Sequence, residues 1–416
     1  MDNELSWSER SVEVAPDLTS DNFREARRRK VLAIATTRAQ AITLAPIVQA
    51  LRKNANFQAV PVVAGEHNGL LSEVLAHFSV RPTFAVELQA GPRPHPDVVV
   101  QTLVRLTQII EAETPDVLIV EGNTASVMAA ALAAFYLQVP VVQVGAGLRS
   151  THPAESLARR FHQRTITQLA ALHLASTEGA RSRLLREGVD PGRVVVTGDT
   201  VVDALHWSLE HPAAFEDPAL EAVEDDPRRL ILVTTRRNGA SEESLRAVGQ
   251  ALAMVARAEP DVLLVAPVAG DPRIDEALLP PIRRLANVVV CKPLGYGAFV
   301  RLVDRSHLII TDSGGVQRAG PTLGKPVLVI GDATEHPEGV DAGGARLAGA
   351  DVAGIVGNIT RLLHDSDLHA AMAVRRDIYG DGRAGQRSVG AISCLLGLAP
   401  PERPFFRTFR QMVGAR

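Results

Sequence analysis

Short runs of consecutive apolar residues alternate along this chain with longer stretches whose apolar positions recur at helical spacing. In the first half the runs are Val31–Ala35, Ala59–Ala64, Val117–Val120 and Val141–Val144, the last interrupted by Gln143. In the second half they are Leu230–Thr234, Val262–Ala266, Val288–Val290, Leu308–Thr311 and Val327–Ile330. Runs of this length predict parallel strands buried on both faces. Between them, Ala41–Lys53, Leu70–Phe78, Val98–Glu113 and Ala125–Leu137 carry helical periodicity, and Glu155–Leu174 and Glu178–Glu187 read as helices near a cleft. Such alternation predicts doubly wound parallel sheets. The pattern loosens near His206–Asp217, where Pro212 and Pro218 bracket a linker, and Arg383–Gly397 is helical again. The expected division is a polar extension over 1–29, a Rossmann-like sugar or acceptor domain over 30–210, a Rossmann-like nucleotide domain over 211–385, and a closing segment over 386–416.

Composition narrows the class. A chain of 416 residues exceeds one comfortable core, so two α/β domains are the natural split. The net charge of −3 offers no basic field for nucleic acid. Cys291 and Cys394 are too few for a disulfide framework and read as buried thiols. No apolar run approaches membrane-spanning length, and the polar first residues are unlike a signal peptide, so a cytoplasmic protein is expected. The run Arg27-Arg28-Arg29-Lys30 closes a segment read as a solvated tail or surface helix.

Candidate chemistry begins where the strand Leu308-Ile309-Ile310 runs into Thr311-Asp312-Ser313-Gly314-Gly315, followed by a helical segment. A strand turning on paired glycines into a helix gathers backbone N–H groups into an anion site. Ser313 adds a hydroxyl donor. An ordinary strand–helix turn is the alternative for this stretch alone.

Its surroundings resemble one family. Asp312-Ser313-Gly314-Gly315-Val316-Gln317, Pro321-Thr322-Leu323-Gly324-Lys325-Pro326 and Thr334-Glu335-His336-Pro337-Glu338-Gly339 look like the carboxy-terminal signature of the non-hydrolysing UDP-N-acetylglucosamine 2-epimerases. Thr37-Arg38, Glu121-Gly122-Asn123-Thr124, Ala146-Gly147-Leu148-Arg149, Thr197-Gly198-Asp199-Thr200 and Tyr379-Gly380-Asp381-Gly382 follow the family's order. The resemblance implies the two-domain GT-B fold, a final helix crossing back to the first domain, a homodimer, and a nucleoside-diphosphate sugar as substrate, with no metal or other cofactor. It places Ser313, Gly314 and Gly315 on the diphosphate, with Arg38 there as a catalytic cation for the leaving group, Phe299 beside the base, and Arg236 on the nucleotide. Glu335 and Glu338 reach the ribose, or else form a solvated loop pair. Asn123, Arg149 and Arg159 fall at sugar-contact positions.

The departures concern proton transfer. As the resemblance implies it, the epimerase removes the sugar C2 proton, expels the nucleotide and adds it back, which needs positioned acids and bases. The family's His-Gly-Asp is here Glu121-Gly122-Asn123, its Val-Glu-Ala-Gly-Leu-Arg is Val144-Gly145-Ala146-Gly147-Leu148-Arg149, and its Thr-x-His-Arg-Arg-Glu falls on Thr234-Thr235-Arg236-Arg237-Asn238. The first-loop lysine aligns with Thr43, and Arg318 replaces a glutamate after the Ser-Gly-Gly turn. A glutamine aligning with Leu294 and a glutamate aligning with Ala319 are also lost, which leaves GDP as open as UDP. Glu155 is one candidate acid near the sugar, or a helix-start glutamate, and His152 is a second.

With three acid/base groups replaced and the phosphate end kept, the expectation is a glycosyltransferase that moves a sugar to a small-molecule acceptor. A thiol or thione would need little deprotonation help. This resembles the S-glycosyltransferases of lincosamide antibiotic biosynthesis. The alternatives are a 2-epimerase whose acid/base work has moved to Glu121, Glu155 and His152, and a non-catalytic nucleotide-sugar-binding regulator.

Overall fold

The computed structural model describes residues 27–65, 69–88, 94–149, 157–235 and 241–399. The first sheet is built from β1 (Arg29–Ala35), β2 (Phe57–Gly65), β3 (Phe84–Glu87), β4 (Val117–Glu121), β5 (Val141–Ala146), β6 (Leu172–Ala175) and β7 (Val194–Val196). The second contains β8 (Arg229–Thr234), β9 (Val262–Pro267), β10 (Val288–Cys291), β11 (Leu308–Thr311), β12 (Val327–Ile330) and β13 (Ala345–Gly349). Their orders are β3-β2-β1-β4-β5-β6-β7 and β10-β9-β8-β11-β12-β13. Every pairing within the two sheets is parallel. These are two Rossmann-like α/β domains.

Successive strand residues feed opposite layers, which explains the unbroken apolar runs. In β1, Val31, Ala33 and Ala35 join one core while Leu32 and Ile34 join another. In β8, Leu230 and Leu232 enter the same core as Val31, whereas Ile231 and Val233 pack outward. One apolar cluster thus runs through both domains on the sides that face each other, and a separate cluster covers each outer face. Helix Ala384–Leu395 packs against helices Arg38–Arg52 and Thr200–Glu210 of the first domain. Asp203 fixes its start by accepting from the Ala384 and Gly385 amides at 3.1 and 2.8 Å.

Several elements differ from the sequence expectation. The helix expected over Glu155–Leu174 is described as Leu157–Leu169, and Leu172–Ala175 is strand β6. No Gly or Pro separates them, so periodicity alone ran one into the other. His206–Glu210, read as linker, is the end of helix Thr200–Glu210. The short strands β3, β7 and β13 were not anticipated, because runs of three to five residues carry little periodic signal. Arg29 and Lys30 open β1 rather than close a tail: they pair with Asp116 and Glu113, each at 2.9 Å.

Candidate functional site

In each sheet the strand order reverses beside the first strand, between β1 and β4 and between β8 and β11. Loops leave these neighbours in opposite directions, opening a crevice at the carboxyl ends. Thr36 and Thr124 place hydroxyls 3.4 Å apart across the first crevice. Across the second, the Thr234 and Thr311 hydroxyls lie 2.7 Å apart, and Thr235 donates to Asp312 at 3.2 Å.

The second crevice has the form of an anion site. Helix Gly314–Thr322 starts at Ser313, whose backbone is extended (φ −81°, ψ 119°) and whose hydroxyl makes no capping bond. The first-turn amides are therefore left unclaimed by that side chain, at the positive end of the helix dipole. Gly314 has no room for a side chain: a Cβ there would lie 2.5 Å from His336 Nε2. At Gly315 the nearest atom would be Ser313 Oγ at 4.0 Å, so that position is open.

Arg38 begins the first helix of the other domain, just after the Thr37 N-cap. Its Nη2 donates across the domain boundary to the Leu294 carbonyl at 2.6 Å, while Nε is buried without a hydrogen-bond partner. Burial lowers the pKa of this guanidinium, and Glu73 and Tyr296 oppose the shift. Glu338 also spans the domains: its Oε1 accepts from Arg183 at 2.8 Å and Thr177 at 3.1 Å, and its Oε2 is buried and unpaired.

At the first crevice, Asn123 is half-buried, and His162 Nδ1 lies 3.2 Å from its carbonyl oxygen. Gly145 takes a left-handed backbone conformation, φ 62°, at the end of β5. A Cβ placed there would be 3.7 Å from Glu121 Oε1. Strand register sets this neighbourhood, because Glu121 pairs with Val144 on the adjacent strand. Burial pushes the Glu121 carboxyl up to about 7, with Arg318 pulling it down and Asp199 pushing it further up. Arg318, on helix Gly314–Thr322, forms a buried ion pair with Asp199 of the first domain. Burial works against the Arg318 charge, but Asp199 and then Glu121 hold its pKa above the usual value.

The remaining sequence candidates are scattered. Arg149 donates through Nε and Nη2 to Glu187 at 2.8 and 2.5 Å, and through Nη1 to the Leu148 carbonyl at 2.8 Å. Arg159 is exposed on helix Leu157–Leu169. Phe299 is half-buried against the shared core, and Glu335 is half-buried beside His336. His152, Glu155 and Arg236 lie outside the described residues. Sequence reasoning missed three features: the Arg318–Asp199 pair, the buried His336 against Gly314, and the buried His162 beside Asn123. Arg318 was visible only as a replaced glutamate. Its partner lies 119 positions away, beyond any local signal. No group of three His, Cys, Asp or Glu side chains suited to a metal occurs among the described residues, and none of their helices is long and apolar enough to cross a membrane.

Two Rossmann-like domains whose crevices face one cleft define the GT-B fold. The sequence profile described as UDP-N-acetylglucosamine 2-epimerase matches residues 49–393, and the chain belongs to that family. It is 38% identical over 369 residues to a probable UDP-N-acetylglucosamine 2-epimerase of Ralstonia solanacearum, covering 88% of this chain and 98% of that one. It is 37% identical over 374 residues to the UDP-N-acetylglucosamine 2-epimerase of Salmonella typhimurium, covering 87% and 98%. Among solved structures, the S. aureus MnaA–UDP complex matches with a TM-score of 0.85 and 31% identity, over 91% of this chain and all of that one. The Neisseria meningitidis UDP-GlcNAc 2-epimerase bound to UDP-GlcNAc matches with a TM-score of 0.81 and 31% identity, over 87% and 99%. A Rickettsia africae glycosyltransferase shares the fold at 11% identity, with a TM-score of 0.57.

Proposed function

We propose that this chain is a sugar-nucleotide 2-epimerase with a rearranged acid/base set, acting on a UDP-linked 2-acetamido sugar. The carrying observation is the helix start at Ser313–Gly315, with amides unclaimed by the Ser313 side chain and a glycine that His336 keeps bare. That end suits a diphosphate leaving with the electron pair of the C1–O bond, where negative charge develops. Arg38 adds a cation from the opposite domain. Similarity to named epimerases over nearly the whole chain, and to proteins solved with UDP and UDP-GlcNAc, supports the substrate class. In this reading a base takes the C2 proton, the C2–H electrons form a C1–C2 double bond, and UDP departs. Protonation from the other face and return of UDP give the C2 epimer. The reaction calls for no metal or organic cofactor.

A second reading, glycosyl transfer to a small-molecule acceptor in natural-product biosynthesis, is favoured by a specific observation. Asn123, Gly145 and Thr235 supply no titratable side chain where the resemblance places proton-transfer groups. A thiol or thione acceptor would suit that set, with GDP or UDP as leaving group. One experiment separates the readings: the protein is given UDP-N-acetylglucosamine in deuterated water. Deuterium at C2 with a manno product supports epimerisation. Absence of both, with nucleoside diphosphate release that depends on an added acceptor, selects transfer. Assembly as a cytoplasmic homodimer belongs to the same proposal. The exposed apolar side chains Val100, Val104, Phe135, Tyr136, Leu157 and Phe161 on adjoining first-domain helices support it.

A further inference from the structure

Glu121 ends β4, inside the crevice where the first sheet reverses its order. Its side chain is half-buried and makes no hydrogen bond or ion pair among the described residues. A carboxyl in such a place costs free energy to keep charged, and among the described residues only the field of Arg318 offsets part of that cost. Its Oε1 fills the space toward which a side chain at position 145 would project, 3.7 Å from that Cβ position. Gly145 is therefore no simple vacancy, because a neighbouring strand delivers a carboxyl to the same corner. Arg318 enters from the second domain, and Asp199 sits at the cap of helix Thr200–Glu210. Among the described residues, these are the charged groups whose fields reach Glu121. Tyr296 and Tyr379, both buried, feel the same Arg318–Asp199 pair.

We propose that Glu121 is the group that exchanges the proton on one face of sugar C2, with the interdomain Arg318–Asp199 pair acting as a positioning element that sets its charge. This rests on the reading of the cleft as a 2-epimerase. As carboxylate, Glu121 takes the C2 proton while the C2–H electrons form the double bond and the diphosphate leaves. In the reverse direction, as carboxylic acid, it returns a proton to that same face of C2 as the diphosphate adds back, and a different donor serves the opposite face. A carboxyl held at about 7 is present in both forms at neutral pH, which suits one group to act as base in the forward direction and as acid in the reverse. The pair closes only when the domains meet, so the proton-transfer group is tuned by closure itself.

The test measures C2 deuterium exchange on UDP-N-acetylglucosamine, together with UDP affinity by thermal shift, for wild type, Glu121→Gln and Glu121→Asp. Glu121→Gln should keep UDP affinity and lose exchange by about 10²- to 10⁴-fold. Glu121→Asp should recover part of the exchange. The wild-type pH profile should carry a limb near 7 that Glu121→Gln removes. Arg318→Gln should move that limb upward, since a cation that favours the carboxylate is gone. Exchange in Glu121→Gln within a few-fold of wild type overturns the assignment and leaves the epimerase reading standing. A wild type that binds UDP and shows no exchange overturns the epimerase reading itself, and the assignment with it.

Discussion

At the carboxyl end of β11 the groups offered to a ligand are main-chain amides. At the carboxyl ends of β4 and β5 they are side chains. The first kind of site depends on a turn geometry, and its glycine is enforced by a neighbour, His336, packed where a Cβ would go. The second kind depends on residue identity, and single substitutions rewrite it: Asn123, Gly145 and Glu121 all stand where the family resemblance shows something else. One fold therefore sets a proposed anion site that depends on turn geometry beside a proposed reaction site that depends on residue identity.

The largest expected effect tests whether the side-chain site is structural as well as chemical. Arg318→Met leaves Asp199 buried without its cation. Breaking a buried pair costs about 3–5 kcal/mol, so a clear fall in denaturation midpoint is expected. A loss no greater than that of a surface arginine would mean the pair is not a buried one.

Next in size is a pH effect at Asp203, whose carboxyl burial raises to about 6 against the pull of the Gly385 and Ala384 amides. The folded state then holds the proton more tightly than the unfolded chain, whose carboxyl sits near 3.9. This contribution to stability is full below about pH 4 and fades as pH rises through 6, a change of about 3 kcal/mol. In Asp203→Asn, thermal midpoints between pH 4 and 7 should lose that component. Identical pH curves for the variant and wild type would remove Asp203 as its source.

Arg38→Ala sharpens the comparison from the anion side. It removes a charge-assisted contact of about 1.5–3 kcal/mol, so UDP affinity should fall by roughly 10- to 150-fold by calorimetry. Glu121→Gln in the same assay should change little. Equal losses in both would erase the distinction between the two crevices.

The smallest effect concerns Arg149. Glu187 is partly exposed, so Glu187→Gln should cost about 1 kcal/mol or less and leave UDP affinity unchanged. A weaker KM for the sugar nucleotide in that variant would put Arg149 back at the sugar.

The same contrast explains what could be read from sequence. The paired sheets were legible because β1, β4, β8, β9, β11 and β12 each contain at least three consecutive apolar residues, a signal that burial on both faces imposes, while β5 shows it around a single Gln143. The Ser313–Gly315 turn was legible because its chemistry is local. Strand β6 was hidden because Leu172–Ala175 follows its helix without a breaker. Arg318 and Asp199 were hidden for a different reason: each looks ordinary alone, and only the closing of two domains brings them together. Glu121 was visible as a residue, but its closeness to Gly145 follows from the register between two strands.

The terminal helix has a mechanical consequence. The described chain enters through β1 and ends in a helix pinned on the first domain by Asp203, so the second domain is spliced in as a loop between two parts of the first. Pulling Arg29 and Leu395 apart loads the first domain alone. Under force, that half should yield first, while the half bearing the Ser-Gly-Gly turn stays folded, slack on its own tether, until the load finally reaches it.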